Sequence, residues 1–260
     1  MLIASWNVNS IAVRLPHVLS WLEEARPDHL CLQELKCTAD KFPYKEFEAA
    51  GYTARVLGEK TYNGVAILSK STSELVAADL PGSPEPKQSR LIEVLQDGLF
   101  ILDLYVPNGS EVGSAKYEYK MAWLQALIDY IKNNHCHGKA TVQDRLVVCG
   151  DFNIAPEDRD VHDPAAWEGQ VLVSEPERAF FKQLQDLGLV DSFRRFEEAS
   201  GHFSWWDYRQ MAFRRNHGLR IDHILVSEPA LASLRRSWID KAPRKLEKPS
   251  DHAPVLIELE

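Results

Sequence analysis

Residues Arg145 to Pro156, RLVVCGDFNIAP, decide how the rest of the chain is read. An apolar run of strand length stops at Gly150 and sets Asp151 and Asn153 on either side of Phe152. In an extended chain alternate residues point to the same side, so these two polar groups share a face where a buried strand ends. Asp and Asn are also ordinary turn formers. The pair reads as part of a site only if other strands finish in the same way.

They do. Asn7 in SWNVNS, Glu34 in CLQELK, Tyr105 in LDLYVPNG, Asp222 in LRIDHIL and Asp251-His252 in PSDHAPV all stand at the ends of strand-like runs. These are residue types that bind a hard cation or move protons. Strand ends in α/β sheets are where sites are assembled from distant pieces of chain. Glu34 shares strand parity with Leu30 and Leu32, which aims it at the core, where an unpaired carboxylate is costly and a cation would resolve the cost. Asp222, inside an otherwise apolar strand, needs a partner if buried.

The coarse order supports an α/β fold. Leu2 to Val8 reads as a strand, RLPHVLSWLEEA as a helix with Leu15, Val18, Leu19 and Leu22 on one face, and HLCLQEL as a second strand. Asn63-Gly64 marks a turn before VAILSK, and Leu124, Leu127, Ile128 and Ile131 mark another amphipathic helix. A further helix starts at Ser174, with Glu177 at capping-box spacing, and stops at Gly188. No linker or repeat interrupts the chain, so residues 1–260 are expected to form a single domain, with LPGSPEPKQSR as a surface loop.

At 260 residues, 45% hydrophobic and 26% charged, the chain has the make-up of an ordinary globular protein. With no signal-like start and no membrane-length apolar run, the expected location is the cytoplasm, with no membrane partner. Cys31, Cys37, Cys136 and Cys149 lack metal-site or CxxC spacing and read as reduced, structural thiols. A net charge of -8 argues against nonspecific coating of nucleic acid, which rests on many Lys and Arg contacts to phosphate.

One segment runs against that acidity. In FSWWDYRQMAFRRNHGLRID, Trp205, Trp206, Tyr208 and Phe213 alternate with Arg209, Arg214, Arg215 and Arg220. Aromatic rings that wedge against bases or sugars, beside guanidinium groups that fork onto phosphates, suit a polyanionic substrate. A core loop with a solvated basic edge is the plainer alternative.

Taken in order, WNVNSI, LQELK, YNGVAILSK, GDFNIAP, FSWWDYR, GLRIDHIL and EKPSDHAP strongly resemble the exonuclease III family of DNA-repair nucleases and AP endonucleases, from Ile3 to the C-terminus. The resemblance implies a DNase I-like four-layer α/β sandwich, two packed mixed β-sheets flanked by helices, with the site at one end of the sheets. It makes Glu34 the principal carboxylate for Mg²⁺ or Mn²⁺, with Asn7 and Asp251 as direct or water-mediated ligands and Asp151 and Asn153 as further metal-site residues. It makes His252 catalytic, Asp222 the group that fixes its tautomer or charge, and Asp151 the proton-transfer residue. Asn153 orients Asp151, and Tyr105 contacts phosphate. Trp205 and Trp206 lie in the segment associated with DNA insertion, with Arg209, Arg214 and Arg215 beside them. Asn108 replaces the Gln of many relatives.

The expected activity is therefore hydrolysis of phosphodiesters in duplex DNA at 3′ ends and 5′ to abasic sites, by a monomer. Trp167 and Glu168, in the loop after GDFNIAP, are expected to line the DNA pocket. Two alternatives remain: a phosphoesterase of the same fold acting on a small or lipid phosphoester, and a binding module without catalysis. The Trp- and Arg-rich segment argues against the first, and the intact set Glu34, Asp151, Asp222, Asp251 and His252 against the second.

Overall fold

The computed structural model describes residues 1–260. In chain order its first strands are β1 (Leu2–Asn7), β2 (His29–Gln33), β3 (Thr53–Leu57), β4 (Val65–Ser69), β5 (Glu74–Ala77) and β6 (Leu91–Gln96). Then come β7 (Leu99–Tyr105), β8 (Leu146–Asp151), β9 (Leu189–Asp191), β10 (Asp222–Ser227), β11 (Leu234–Ile239) and β12 (Val255–Leu259). One sheet has the order β11-β12-β1-β2-β4-β3, the other β5-β6-β7-β8-β10-β9. Each contains one parallel pair, β1 with β2 and β7 with β8, among antiparallel neighbours.

A parallel pair needs a crossover that returns the chain to its starting end. Helix α1 (Ile11–Ala25) provides it for β1 and β2; the short helix α2 (Tyr44–Ala49) follows β2. Helix α3 (Ala115–His135) makes the crossover from β7 to β8. After β8 come the single turn α4 (Pro164–Trp167) and α5 (Glu175–Asp186). The capping box expected at Ser174 and Glu177 opens α5.

Strand alternation sorts the side chains into layers. Ala4, Trp6, Leu30 and Leu32 face Trp21 and Leu22 of α1 and Phe47 of α2. Their neighbours Ile3 and Cys31 meet Ile101, Val147 and Ile224 of the other sheet. On the far side Leu102, Leu104 and Val148 pack on Trp123 and Leu127 of α3 and on Phe181 and Leu184 of α5. The result is helices, sheet, sheet, helices, the expected four layers. Each fully buried Leu, Ile or Val contributes roughly 1.5–3 kcal/mol.

This topology also locates the site. The carboxyl ends of the two parallel pairs meet, because Asn7 at the end of β1 hydrogen-bonds to Asp151 at the end of β8. Antiparallel pairing sets Asp222, the first residue of β10, directly opposite Asp151. The segment before β12 reaches the same end, since β12 runs antiparallel to β1 with Val255 opposite Ser5. No helix is long and apolar enough to cross a membrane.

Candidate active site

Gly150 allows β8 to press against β7. A side-chain carbon there would lie 1.9 Å from the carbonyl oxygen of Leu104. Asp151, buried at the end of the strand, accepts the Asn153 N–H on Oδ1 and the Asn7 Nδ2 on Oδ2, both at 2.9 Å. Asn153 is brought beside Asp151 by a left-handed turn, φ 49°, rather than by the strand pleat expected from the sequence. Its Nδ2 donates to the Val106 carbonyl and its Oδ1 accepts from Asn108, each at 3.0 Å. Asn108 thus braces Asn153.

Glu34 corrects the strand-parity reading. Beta structure ends at Gln33, and Glu34 takes φ 53°. Continued alternation would have sent it beneath α1 with Leu30 and Leu32; the left-handed turn swings it to the sheet end. There Oε1 accepts from Asn7 Nδ2 at 2.9 Å and Oε2 lies 3.0 Å from Lys36 Nζ.

His252 is buried between two carboxylates. Its Nδ1 is 2.9 Å from Asp222 Oδ2, and its Nε2 is 3.8 Å from Asp151 Oδ2. Burial alone would push the imidazole pKa down, yet Asp222 and Asp151 hold it up at about 10. Burial pushes Asp151 up to about 7, against the pull of His252 and reinforced by the negative Asp222 and Glu34. Ser204 Oγ donates to Asp222 Oδ2 at 2.6 Å while accepting the Asp222 N–H at 3.0 Å, which locks that carboxylate on the histidine.

Tyr105 lies beneath Arg90, whose guanidinium carbon is 4.7 Å from the ring centroid. Burial, followed by the charges of Glu34 and Asp151, raises its pKa well above the usual phenol range. Its hydroxyl therefore stays protonated, a donor toward an anion.

One ligand atom from each of Glu34, Asp151 and His252 lies within 4.8 Å of the others. Two carboxylates facing one space fit a hard divalent cation; an imidazolium has no lone pair to offer it. The other expected ligands are placed differently. The amide oxygen of Asn7 accepts the Asn9 N–H, so its NH₂ group faces the carboxylates. The amide of Asn153 is engaged at both ends. Asp251 is bound by Asn9 Nδ2 at 2.9 Å and by Trp205 Nε1 at 3.0 Å and is not part of the Glu34 group. Asn7 and Asn153 hold the carboxylates in this structure rather than offering oxygens.

Residues 4–252 match the Endonuclease/Exonuclease/phosphatase family. The chain is 35% identical to exodeoxyribonuclease III of Haemophilus influenzae, with 98% of both sequences covered. It belongs to the exonuclease III family. Among solved structures, the 3′-5′ exonuclease of Neisseria meningitidis is 43% identical and superposes with a TM-score of 0.94 over 100% of both chains. An AP endonuclease from Archaeoglobus fulgidus is 37% identical, again with a TM-score of 0.94, covering 100% of this chain and 99% of its own. Enzymes of the exonuclease III family depend on a divalent metal, in keeping with the donor set at Glu34 and Asp151.

Against this exonuclease III frame the aromatic segment divides. Trp206, expected to contact DNA, is instead a core residue with 0% exposure. Phe213 meets its ring edge-on at 5.0 Å, and Gly218 leaves no room for a side-chain carbon, which would sit 2.6 Å from Trp206 Nε1. Arg220, read with the basic edge, is also buried, forked between Asp160 at 2.7 Å and Asp191 at 2.8 Å. Trp205 is half-buried, tied to Asp251 and bridged to His252. With Trp167, His162, Asp207, Arg209 and His217 it lines a cavity of about 430 Å³. Arg214 and Arg215 are exposed nearby on α6 (Ala212–Arg215).

Some residues of the site were not singled out in the sequence. Lys36 and Ser204 stand inside quoted motifs, LQELK and FSWWD, next to residues that drew attention for their charge or size. Lys120, fully buried on α3, pairs with Glu177 and donates to the Asn153 carbonyl at 2.6 Å and the Asn108 carbonyl at 3.2 Å. Only the fold brings it there.

Proposed function

We propose that this protein is a divalent-metal-dependent DNA phosphodiesterase that removes nucleotides from 3′ ends of duplex DNA and incises 5′ to abasic sites. The observation that carries the reading is the convergence of Glu34, Asp151 and His252 around one space where the two sheets join. Supporting it, one Neisseria relative, 42% identical, is a 3′ phosphatase bound to a product DNA hairpin.

Each residue has a part that follows from its surroundings. His252, cationic and fixed by Asp222, presents its Nε2 proton to a nonbridging phosphate oxygen. Asp151, with its carboxyl near neutrality, accepts the proton of the attacking water, while the Asn153 N–H keeps its other oxygen in place. Tyr105 donates to a second phosphate oxygen. Glu34, with Asp151 beside it, would hold Mg²⁺ or Mn²⁺; once bound, the cation neutralises phosphate charge and stabilises the leaving oxygen. Trp205, Trp167 and Arg209 line the neighbouring cavity and receive the nucleotide or sugar next to the scissile bond. Residues 1–260 act as one unit, because the site draws on both sheets.

End-labelled duplexes, one intact and one with a single abasic-site analogue, test this with Mg²⁺, with Mn²⁺ and with EDTA. A metal-dependent ladder from 3′ ends and a cut at the lesion are expected. Absence of cleavage on both duplexes would overturn the reading.

A further inference from the structure

The space between the sheets is largely aliphatic in its middle, with a buried His29–Ser69 pair at the far end and a polar layer immediately beneath the site. There Gln33 Nε2, from one sheet, donates to Asp103 Oδ1 of the other at 2.6 Å and to Ser5 Oγ at 3.0 Å. Gln33, Asp103 and Ser5 are each 0% exposed, and the Cys31 and Cys149 thiols stand beside Asp103. Four of these five lie one pleat repeat, or one peptide, before a site residue: Ser5 before Asn7, Asp103 before Tyr105, Cys149 before Asp151, and Gln33 before Glu34. Asp103 and Cys149 are also register partners, as are Tyr105 and Asp151 above them.

The catalytic groups are divided between the sheets. Asn7 and Glu34 extend from one, and Tyr105, Asp151, Asn153 and Asp222 from the other. Face-to-face sheet packing by aliphatic side chains is non-directional and tolerates small slips, whereas a hydrogen bond across the gap has a fixed length and angle. We propose that the Gln33–Asp103 hydrogen bond is a cross-sheet staple that sets the spacing of Glu34 against Tyr105 and Asp151, making Asp103 a positioning residue for phosphodiester cleavage.

The atoms left over define the form of the staple. Gln33 Oε1 and Asp103 Oδ2 are buried without a hydrogen-bond partner. An ionised carboxylate here would be fully buried with a single side-chain donor and no counter-charge, a costly arrangement. Burial pushes the Asp103 pKa well above the usual carboxylate range, although the Gln33 amide pulls it down. Protonated at Oδ2, the acid carries a donor beside the acceptor oxygen that receives Gln33, and the amide of an Asn at position 103 does the same.

The inference rests on the nuclease reading above, and steady-state cleavage of a 3′-recessed duplex in Mg²⁺ separates the two. Asp103→Val is expected to lower kcat about 10- to 100-fold at little-changed KM, with a Tm at or above wild type because a poorly paired buried polar group has been removed. Asp103→Asn is expected to restore kcat to within about twofold of wild type. Gln33→Met breaks the same bond from the other sheet; it should show the same kcat loss, and the double variant no further loss. Should Asp103→Val not fold, the Gln33→Met and Asp103→Asn pair decides. The staple is overturned if wild type cuts DNA and Asp103→Val or Gln33→Met cuts as fast, or if Asp103→Asn loses as much as Asp103→Val. Wild-type protein that leaves DNA intact overturns the nuclease reading and this inference together.

Discussion

Nδ1 of His252 lies 2.9 Å from Oδ2 of Asp222, and that same oxygen accepts the Ser204 hydroxyl. The aspartate is therefore fixed from behind before it fixes the histidine. Asp222→Asn leaves an amide that cannot balance an imidazolium and that competes for the Ser204 hydroxyl. Single-turnover cleavage should slow by about 100-fold or more, with far-UV circular dichroism unchanged. An unimpaired Asp222→Asn enzyme would show that His252 needs no carboxylate partner.

Trp205 and Trp206 are adjacent in sequence and differ in burial, so their truncations should separate stability from binding. Trp206→Ala empties a filled core position and is expected to cost about 3–5 kcal/mol in urea unfolding. Trp205→Ala and Arg209→Ala should change stability far less while weakening DNA binding in a fluorescence-anisotropy titration. If Trp206→Ala were stable and Trp205→Ala unstable, the assignment of the two rings would be reversed.

His223 gives the fold an acid-side weakness. Arg220 donates to its Nδ1 at 2.9 Å, and its Nε2 faces the Ile154 carbonyl at 2.8 Å, so the neutral tautomer satisfies both contacts. Burial, followed by the Arg220 charge, lowers its pKa to about 4. The unfolded chain takes up the proton first, near pH 6.5. The contribution is thus fully present above about pH 6.5 and is lost as pH falls toward 4, on the order of 3 kcal/mol in all. The stability advantage of wild type over His223→Gln, read from paired urea unfolding curves, should shrink as pH falls from 7 to 4, a difference from which the opposing proton uptake of Asp151 cancels; an unchanging difference would rule out this role for His223.

Lys120 is a buried cation with three anionic or carbonyl partners: Glu177, Asn108 and Asn153. Lys120→Met leaves Glu177 buried without its counter-charge, at a cost of about 3–5 kcal/mol. Lys120→Met/Glu177→Gln should recover part of that loss in the same denaturation experiment. A single variant as stable as wild type would mean that the Lys120–Glu177 pair adds nothing to stability.

Much of this arrangement was legible in the sequence because strand ends punctuate it. Asp151, Asp222 and Asp251-His252 each break an apolar run, and α5 is announced by Ser174 and Glu177. What escaped the sequence was direction. Glu34 follows the parity of Leu30 and Leu32 on paper, and only its left-handed backbone sends it to the site. Trp206 and Arg220 look like neighbours of a basic surface, but Asp160 and Asp191, which bury Arg220, lie far off in the chain. The hydrogen bonds that turn Asn7 and Asn153 into braces likewise depend on backbone groups that no side-chain motif displays.

Asp151, at the end of β8, joins both halves of the site, because Asn7 of β1 and His252 just before β12 both approach it from the other sheet, so its substitution tests the whole arrangement. The decisive measurement is single-turnover cleavage of a 3′-recessed duplex in Mg²⁺ by wild type and by Asp151→Asn, with DNA affinity followed in parallel. Loss of cleavage by about 100-fold or more with DNA binding and folding retained is the expected result. Wild-type turnover by Asp151→Asn would contradict the assignment of proton transfer to Asp151 and the mechanism built on it.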